Sequence, residues 1–347
     1  MLPEGEHGIV SARVGTLQEE HNIESLGGDD LYCAFRTLKD YVGESYSPDG
    51  GKTWTEPDFA RYANGRKIKN TRACSMVWRC ENGKYLLWFH NHDGRNSAER
   101  NKDRNPAWLS GGILQDGHIL WSQPEPALFA FAPINNSGLS YPNLVEHGGR
   151  YYIAATDKEQ ARLCTLDKTL LENLWNQDAL KEIPKAGLLE DSELSAGKIR
   201  FAPVLGDQGF SVTCSGGLPQ SGLLWSALDA QGNGAALRRT AEGKVSLEFK
   251  DCHMSQPLTW DTDEPVADNS TVTFILDGAA NWVYVVVNGL LCDGGEARQF
   301  GFGPIPYQMT VLTGAPVEVM NGAGRVLLHD RALSISETIG MHRVLVK

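Results

Sequence analysis

At 347 residues with a net charge of −11, 41% apolar and 22% charged residues, the chain has the composition of a globular protein large enough for about two domains. The acidic balance and the lack of any basic stripe argue against a nucleic-acid partner, and no run of eighteen apolar residues is available to span a membrane. Seven scattered cysteines, none in a C-x-x-C pair, point to buried thiols rather than a zinc site or a full disulfide set.

Thirty-seven glycines and nine tryptophans favour many short strands joined by tight turns. Met1 to Gly8 carries neither a basic segment nor an apolar stretch, so no signal peptide is visible there. Leu31–Arg36, after the turn Gly27-Gly28-Asp29-Asp30, reads as a strand. Val42–Ser47 is a second strand and leads into Ser47-Pro48-Asp49-Gly50-Gly51-Lys52-Thr53-Trp54. In that octapeptide Ser47 and Asp49 can turn their oxygens onto nearby backbone N–H groups, and the two glycines allow the positive φ of a tight reversal. Thr53 and Trp54 are expected to open the next strand, with the indole buried beneath the turn. The pattern S-x-D-x-G-x-T-W resembles the Asp-box of sialidase-like β-propellers, which lies on a hairpin at the rim of a blade and supplies no catalytic group.

The plan recurs. Cys74–Arg79 and Tyr85–Phe89 read as strands around the turn Glu81-Asn82-Gly83-Lys84, and the polar stretch from Asn91 to Asn105 reads as a loop. Pro106–Gly112 and Ile119–Glu125 form a second, degenerate Asp-box-like hairpin. Leu139–Leu144 and Tyr151–Thr156 flank a turn at His147-Gly148-Gly149. Strand–turn–strand units at this spacing behave like propeller blades, but about three blades do not close a ring, and open edges leave strand faces unpaired. The expectation is that N-terminal blades are missing. Leu170 to Leu194 has helical propensity. Beyond it Gly209–Cys214, Gly222–Ser226, Val245–Phe249, Val272–Gly278 and Trp282–Gly289 are short strands at sandwich spacing, and the phrase VNGLLCDGG (Val287–Gly295) resembles a concanavalin or laminin-G-type jelly roll.

The predicted fold class is all-β. Residues 1–180 are an incomplete, N-terminally truncated part of a six-bladed sialidase-type propeller, 181–198 a linker, and 199–347 a jelly-roll or concanavalin-like β-sandwich.

Four positions resemble the sialidase active centre, in that family's chain order. Glu20, in Gln18-Glu19-Glu20-His21-Asn22, lies sixteen residues ahead of Arg36 and resembles the family's "NE" segment. Arg104 precedes the second Asp-box-like hairpin, and Tyr141 in Ser140-Tyr141-Pro142-Asn143-Leu144 resembles the opening of the final blade. A sialoside bears a carboxylate on its anomeric carbon, which planar guanidinium groups bind bidentately. That carboxylate would repel an Asp or Glu nucleophile, and sialidases use a tyrosine. The resemblance implies that Tyr141 is the nucleophile, Glu20 takes its proton, and Arg36 and Arg104 hold the carboxylate of a glycan's acidic terminal sugar. It implies no cofactor and no metal, and a secreted, periplasmic or cell-surface location. Each residue also has a structural reading: Glu20 as a solvated loop acid, Arg104 as part of a solvated charge run, Tyr141 as a core tyrosine. His90, His92 and Arg162 are lesser candidates. The family's first arginine and its acid/base aspartate have no counterpart in this sequence, Arg13 lying in a different context. The competing functions are non-catalytic carbohydrate binding and hydrolysis of other acidic sugars such as uronic acids.

Overall fold

The computed structural model describes residues 18–91, 104–129, 139–157, 160–193, 199–201, 209–250, 256–263, 265–280, 282–294, 303–304, 316–319 and 324–346. Arg13, His92, Cys252 and most of the predicted loop after Asn91 lie outside them. The described residues are all-β apart from two short helices, and the chain divides into two compact units, Met1–Gln177 and Asp178–Lys347.

Unit 1 consists of three antiparallel sheets that follow one another along the chain. In the first, β1 (Gln18–Gly27), β2 (Asp30–Thr37), β3 (Val42–Ser47) and β4 (Asp58–Phe59) pair in sequence order. The second is built from β5 (Met76–Arg79), β6 (Tyr85–Phe89), β7 (Ala107–Gln115), β8 (His118–Trp121) and β9 (Glu125–Leu128). β8 and β9 bond to successive parts of the same edge of β7, so together they make a single interrupted fourth strand. The third is β10 (Ser140–His147), β11 (Arg150–Asp157) and β12 (Gln160–Leu166). The first strands of the sheets are neighbours: β5 lies beside both β1 and β10, and the Val77 N–H donates to Asn22 Oδ1 at 2.6 Å. Further out, Tyr85 Oη donates to the Ser25 carbonyl at 3.1 Å, and the Tyr32 and Trp121 rings lie 5.9 Å apart.

The octapeptide Ser47–Trp54 joins β3 to β4. Asp49 Oδ1 accepts from the Thr53 N–H (2.8 Å) and from Ser47 Oγ (3.0 Å), Asp49 Oδ2 accepts from Thr53 Oγ1 (2.7 Å), and Ser47 Oγ accepts from the Gly51 N–H (2.8 Å). Two expectations are corrected. Thr53 and Trp54 do not open a strand, because the Asp49 bonds hold the chain curled until Thr55 returns to Tyr46, and β4 starts at Asp58. The indole is only half-buried, since its N–H reaches back to the Gly51 carbonyl at 3.0 Å.

The expected helix over Leu170 to Leu194 is shorter and earlier. Asp167 caps α1 (Lys168–Trp175) by accepting from the Thr169 and Leu170 N–H groups, and Asn176 ends it. Leu171, Leu174 and Trp175, at helical spacing, are buried in a core shared with the second and third sheets. The close approach depends on Gly111 of β7, where a Cβ would sit 2.8 Å from the Leu174 carbonyl carbon.

Unit 2 has two sheets. One runs β13 (Leu188–Glu193), β25 (Arg325–His329), β15 (Phe210–Ser215), β20 (Thr271–Asp277), β21 (Trp282–Val287), β22 (Leu290–Leu291), with β23 (Gly303–Pro304) against β21. The other runs β14 (Ile199–Phe201), β24 (Val317–Val319), β16 (Gly222–Leu228), β17 (Gly234–Arg239), β18 (Val245–Lys250), β19 (Leu258–Asp261). One core joins them, with Phe274 stacked 4.7 Å from Trp225 and 5.7 Å from Phe210. The turn read from VNGLLCDGG is formed by Asn288 and Gly289, both at positive φ, between β21 and β22. Residues 181–198 are not all linker. β13 pairs with β25 along its length, and the Pro184 and Ala186 carbonyls are bound by His329 and Arg331, so this stretch belongs to unit 2. α2 (Ile335–Leu345) completes the unit, its N-terminus closed by a Ser334/Glu337 capping box.

Candidate active site

All the site residues come from one end of the three sheets in unit 1. β1, β5 and β10 start there, β2 ends there, and β7 begins just past Arg104. Glu19 is paired in register with Arg36 across β1 and β2. The β1–β2 register then slips between Glu19 and Asn22, and Glu20 takes φ = 52°. The same device recurs at the start of β10, where the register slips between Ser140 and Asn143 and Tyr141 takes φ = 47°. Neither residue is a glycine, so each left-handed backbone stores on the order of 1–3 kcal/mol of strain, a signature of sites where a side chain must be aimed. The bulges turn Glu20 and Tyr141 out of the alternating strand pattern and toward each other.

Tyr141 Oη donates to Glu20 Oε1 at 3.0 Å. Tyr141 is 62% exposed, so it is not a core tyrosine, and its phenol is open to a ligand. Glu20 Oε2 meets Arg36 Nη1 at 2.8 Å, and so Glu20 is not a free loop acid. The hydrogen bond to Glu20 and its charge raise the Tyr141 pKa above its ordinary value of 10, with burial adding to the rise and nearby Arg104 opposing it.

The basic side of the site holds three guanidiniums. Arg36 binds Glu19 through Nη2 (2.7 Å) and Nε (3.0 Å). Arg104 is half-buried, which sets aside the solvated-run reading: Nη1 donates to Ser140 Oγ at 2.9 Å and Nη2 to the Arg72 carbonyl at 2.8 Å, while Nε has no hydrogen-bond partner. Both of those partners are neutral, and among the described residues no carboxylate lies within ion-pair distance of Arg104. Arg72 reaches Glu19 Oε1 at 3.3 Å. Hydrogen bonds from Arg72 and then Arg36 hold the Glu19 carboxyl below its ordinary pKa of 4.5. Among the described residues three guanidiniums thus face two carboxylates, in a chain of net charge −11.

The structure therefore brings together Glu20, Arg36, Arg104 and Tyr141, the four residues singled out in the sequence. His90 does not enter the cluster; it is buried, with Nε2 2.7 Å from the Leu139 carbonyl, just ahead of Ser140 and Tyr141. Arg162 is directed elsewhere, donating to the Phe129 carbonyl at 3.1 Å. Glu19, Arg72, Ser140 and Cys74 were not singled out as site residues. Cys74 lies near enough to feel the charges of Glu20, Arg36 and Arg104, and burial pushes its thiol up to about 11. Superimposing the repeat units by their first strands would have pointed to Arg72, because it precedes β5 much as Glu19 and Glu20 open β1. Among the described residues no group of histidine, cysteine and acidic side chains is arranged to hold a metal ion.

No protein-family model matches the chain, and no curated protein matches it. Among solved structures it is similar to Trypanosoma rangeli sialidase, with 13% identity and a TM-score of 0.32, covering 94% of this chain and 62% of that one. It is similar to the same enzyme in complex with sialic acid at 14% identity and a TM-score of 0.27, covering 92% of this chain and 61% of that one. The carbohydrate-binding module CBM40 of the Ruminococcus gnavus IT-sialidase is similar at 17% identity and a TM-score of 0.30, covering 44% of this chain and 98% of the module. The chain thus spans 62% of the length of the first of these sialidases.

Proposed function

We propose that unit 1 binds the carboxylate of a terminal sialic acid and transfers the sugar to Tyr141, as an exo-α-sialidase-type glycosidase. The observation that carries this reading is a Tyr141–Glu20 pair, 3.0 Å apart, beside a half-buried Arg104 that has no anionic partner among the described residues. A nucleophile–base pair next to an unfilled guanidinium suits a substrate whose reacting carbon bears a carboxylate. The neutral phenol is not repelled by that carboxylate, as an anionic Asp or Glu would be.

In this mechanism Arg104 and Arg36 fix the carboxylate and so set the anomeric carbon over Tyr141 Oη. Glu20 takes the phenolic proton as the oxygen attacks, and the glycosidic C–O bond breaks, its electron pair leaving with the aglycone oxygen. The departing aglycone oxygen takes a proton from solvent. Water then attacks the anomeric carbon and gives its own proton to solvent, the bond to Tyr141 Oη breaks with overall retention, and the phenol oxygen regains its proton from Glu20. Arg36 steadies Glu20 through the 2.8 Å ion pair while Glu20 alternates between its two states. Aryl sialosides, whose leaving groups need little protonation, are the substrates on which turnover is expected first.

The test compares wild type with Tyr141→Phe and Arg104→Gln, measuring release of an aryl alcohol from an aryl α-sialoside and binding of free N-acetylneuraminic acid by calorimetry. Tyr141→Phe should abolish turnover and leave affinity within a few-fold. Arg104→Gln should weaken binding on the order of 10–100-fold, as expected when one partner of a charge-assisted pair is truncated. Wild-type binding without turnover would make this a carbohydrate-binding protein instead.

A further inference from the structure

The two residues ahead of Tyr141 are held from several directions. The Leu139 carbonyl lies 2.7 Å from His90 Nε2, and the Leu139 N–H donates to the Arg104 carbonyl at 3.1 Å. The Ser140 carbonyl accepts from Thr156 Oγ1 of β11 at 3.1 Å, and Ser140 Oγ accepts from Arg104 Nη1 at 2.9 Å. A carbonyl can only accept, so His90 Nε2 carries a proton there. His90 is itself fixed. It follows β6 and is 1% exposed, and its N–H donates to Asn70 Oδ1 at 3.0 Å, while Asn70 Nδ2 donates to the Ala73 carbonyl at 2.8 Å.

This anchoring stands directly before a residue whose local sequence does not favour its observed shape. Tyr141 precedes Pro142, and a residue before proline prefers extended backbone with negative φ. It takes φ = 47° instead. Such a conformation persists only where the surroundings over-determine it. β11 pairs with Ser140 and again from Asn143 onward, so Tyr141 and Pro142 together stand opposite the single residue Ala155. We propose that His90 and Thr156 are positioning residues for Tyr141: by gripping the Leu139 and Ser140 carbonyls they fix where the chain turns, and so hold the phenol on Glu20. The inference rests on the function proposed above, in which that phenol is the nucleophile. Both residues act through the backbone and leave the sugar to others.

The experiment uses the full chain carrying His90→Gln, His90→Asn, Thr156→Ser or Thr156→Val, each with and without Tyr141→Phe. The glutamine amide can place a donor where Nε2 stood, and the asparagine amide is one methylene too short; serine keeps the Thr156 hydroxyl and valine loses it. Three quantities are read where each variant is folded: turnover of an aryl α-sialoside, affinity for N-acetylneuraminic acid, and the Tyr141 titration as the ultraviolet difference from the matching Tyr141→Phe chain. In His90→Asn the Tyr141 pKa should drop from its raised value toward 10, because the phenol leaves the hydrogen bond and charge of Glu20. Its kcat should fall about 10–100-fold, as for a displaced nucleophile, with affinity kept within about 3-fold. Thr156→Val should act the same way in smaller measure, about 3–10-fold in kcat, since a single exposed hydrogen bond is lost. His90→Gln and Thr156→Ser should restore the wild-type titration. A residue that only joined the sheets would lower the unfolding temperature and leave the phenol of the folded chain unchanged. A wild-type Tyr141 titration in either folded variant overturns the role given to that residue and leaves the proposed function standing. Should His90→Asn fail to fold, the Thr156 pair decides. Absence of turnover in wild type sinks the proposed function, and the titration then decides the inference by itself.

Discussion

Tyr141 and Glu20 each serve as a test of the other. Their hydrogen bond at 3.0 Å and the charge of Glu20 raise the phenol's pKa, and in the proposed mechanism the same carboxylate is the acceptor of its proton. Glu20→Gln removes that charge, and the Tyr141 pKa should fall back toward 10, read as the ultraviolet titration difference between Glu20→Gln and the same variant carrying Tyr141→Phe. Turnover of an aryl sialoside should fall at the same time, on the order of 10²–10⁴-fold, because an amide cannot accept the proton. A lower pKa accompanied by unchanged turnover would remove Glu20 from the mechanism. What the sequence conveyed at this scale was identity and order. Arg36 on an apolar strand could be picked out as unusual, whereas Tyr141 before Pro142 stood out only through its resemblance to the opening of the family's final blade. The left-handed backbone at Glu20 and Tyr141 could not, because nothing in a Glu-His or Tyr-Pro dipeptide asks for a bulge. The bulges arise from pairing with β2 and β11, which is a property of the neighbouring strands.

Among the elements, α1 and α2 show how local signals and distant partners together fix a helix. α1 ends at Trp175, whose indole N–H donates to the Tyr85 carbonyl at 2.7 Å. It lies flat on β7 only because residue 111 has no side chain. Gly111→Val should lower stability by about 1–3 kcal/mol or more through overpacking against Leu174, measured by denaturant unfolding followed through tryptophan fluorescence. α2 is held at its start by the capping box and by Arg331, which reaches Glu337 at 2.6 and 2.9 Å. Burial pushes the Glu337 carboxyl up, but the bonds from Arg331 and the Ser334 N–H outweigh it, and the net shift is below 4.5. A depressed carboxylate contributes stability above its unfolded pKa and loses it as pH falls through the folded one. Glu337→Gln should therefore destabilise by about 1–2 kcal/mol at pH 7, and the gap to wild type should close as pH falls well below 4.5, followed by thermal unfolding across that range. A constant gap would mean that the charge is not what matters. Both helices were poorly read in the sequence. The propensity of residues 170–194 spread the first one too far, because β13 is recruited by pairing with β25, a partner more than a hundred residues away. The S-x-x-E signature at Ser334–Glu337, by contrast, was there to be read.

For the molecule as a whole, the strands were legible because each carries its own β-branched and aromatic run and its own Gly-containing turn, as at Gly148-Gly149 and Asn288-Gly289. Strands lacking such runs, such as β17 with Gly234–Arg239, were not seen, and their place is set by the sandwich core around Trp225 and Phe274. The site was legible through the chain order in which Glu20, Arg36, Arg104 and Tyr141 resemble the family's active centre; Arg72 was hidden because its place beside Glu19 depends on three first strands opening at the same end. That convergence puts a phenol, a carboxylate and a guanidinium with no anionic partner among the described residues in one place, and the central proposal is that the phenol attacks a sugar. The most direct measurement is intact and peptide mass spectrometry after incubation with a fluorinated sialosyl fluoride. Its fluoride leaves without a proton donor, and its ring fluorine slows release of the intermediate. The account predicts one covalently bound sugar per chain, on the peptide bearing Tyr141, and none in Tyr141→Phe. Saturable binding with no adduct at Tyr141, or an adduct on a carboxylate instead, would contradict it.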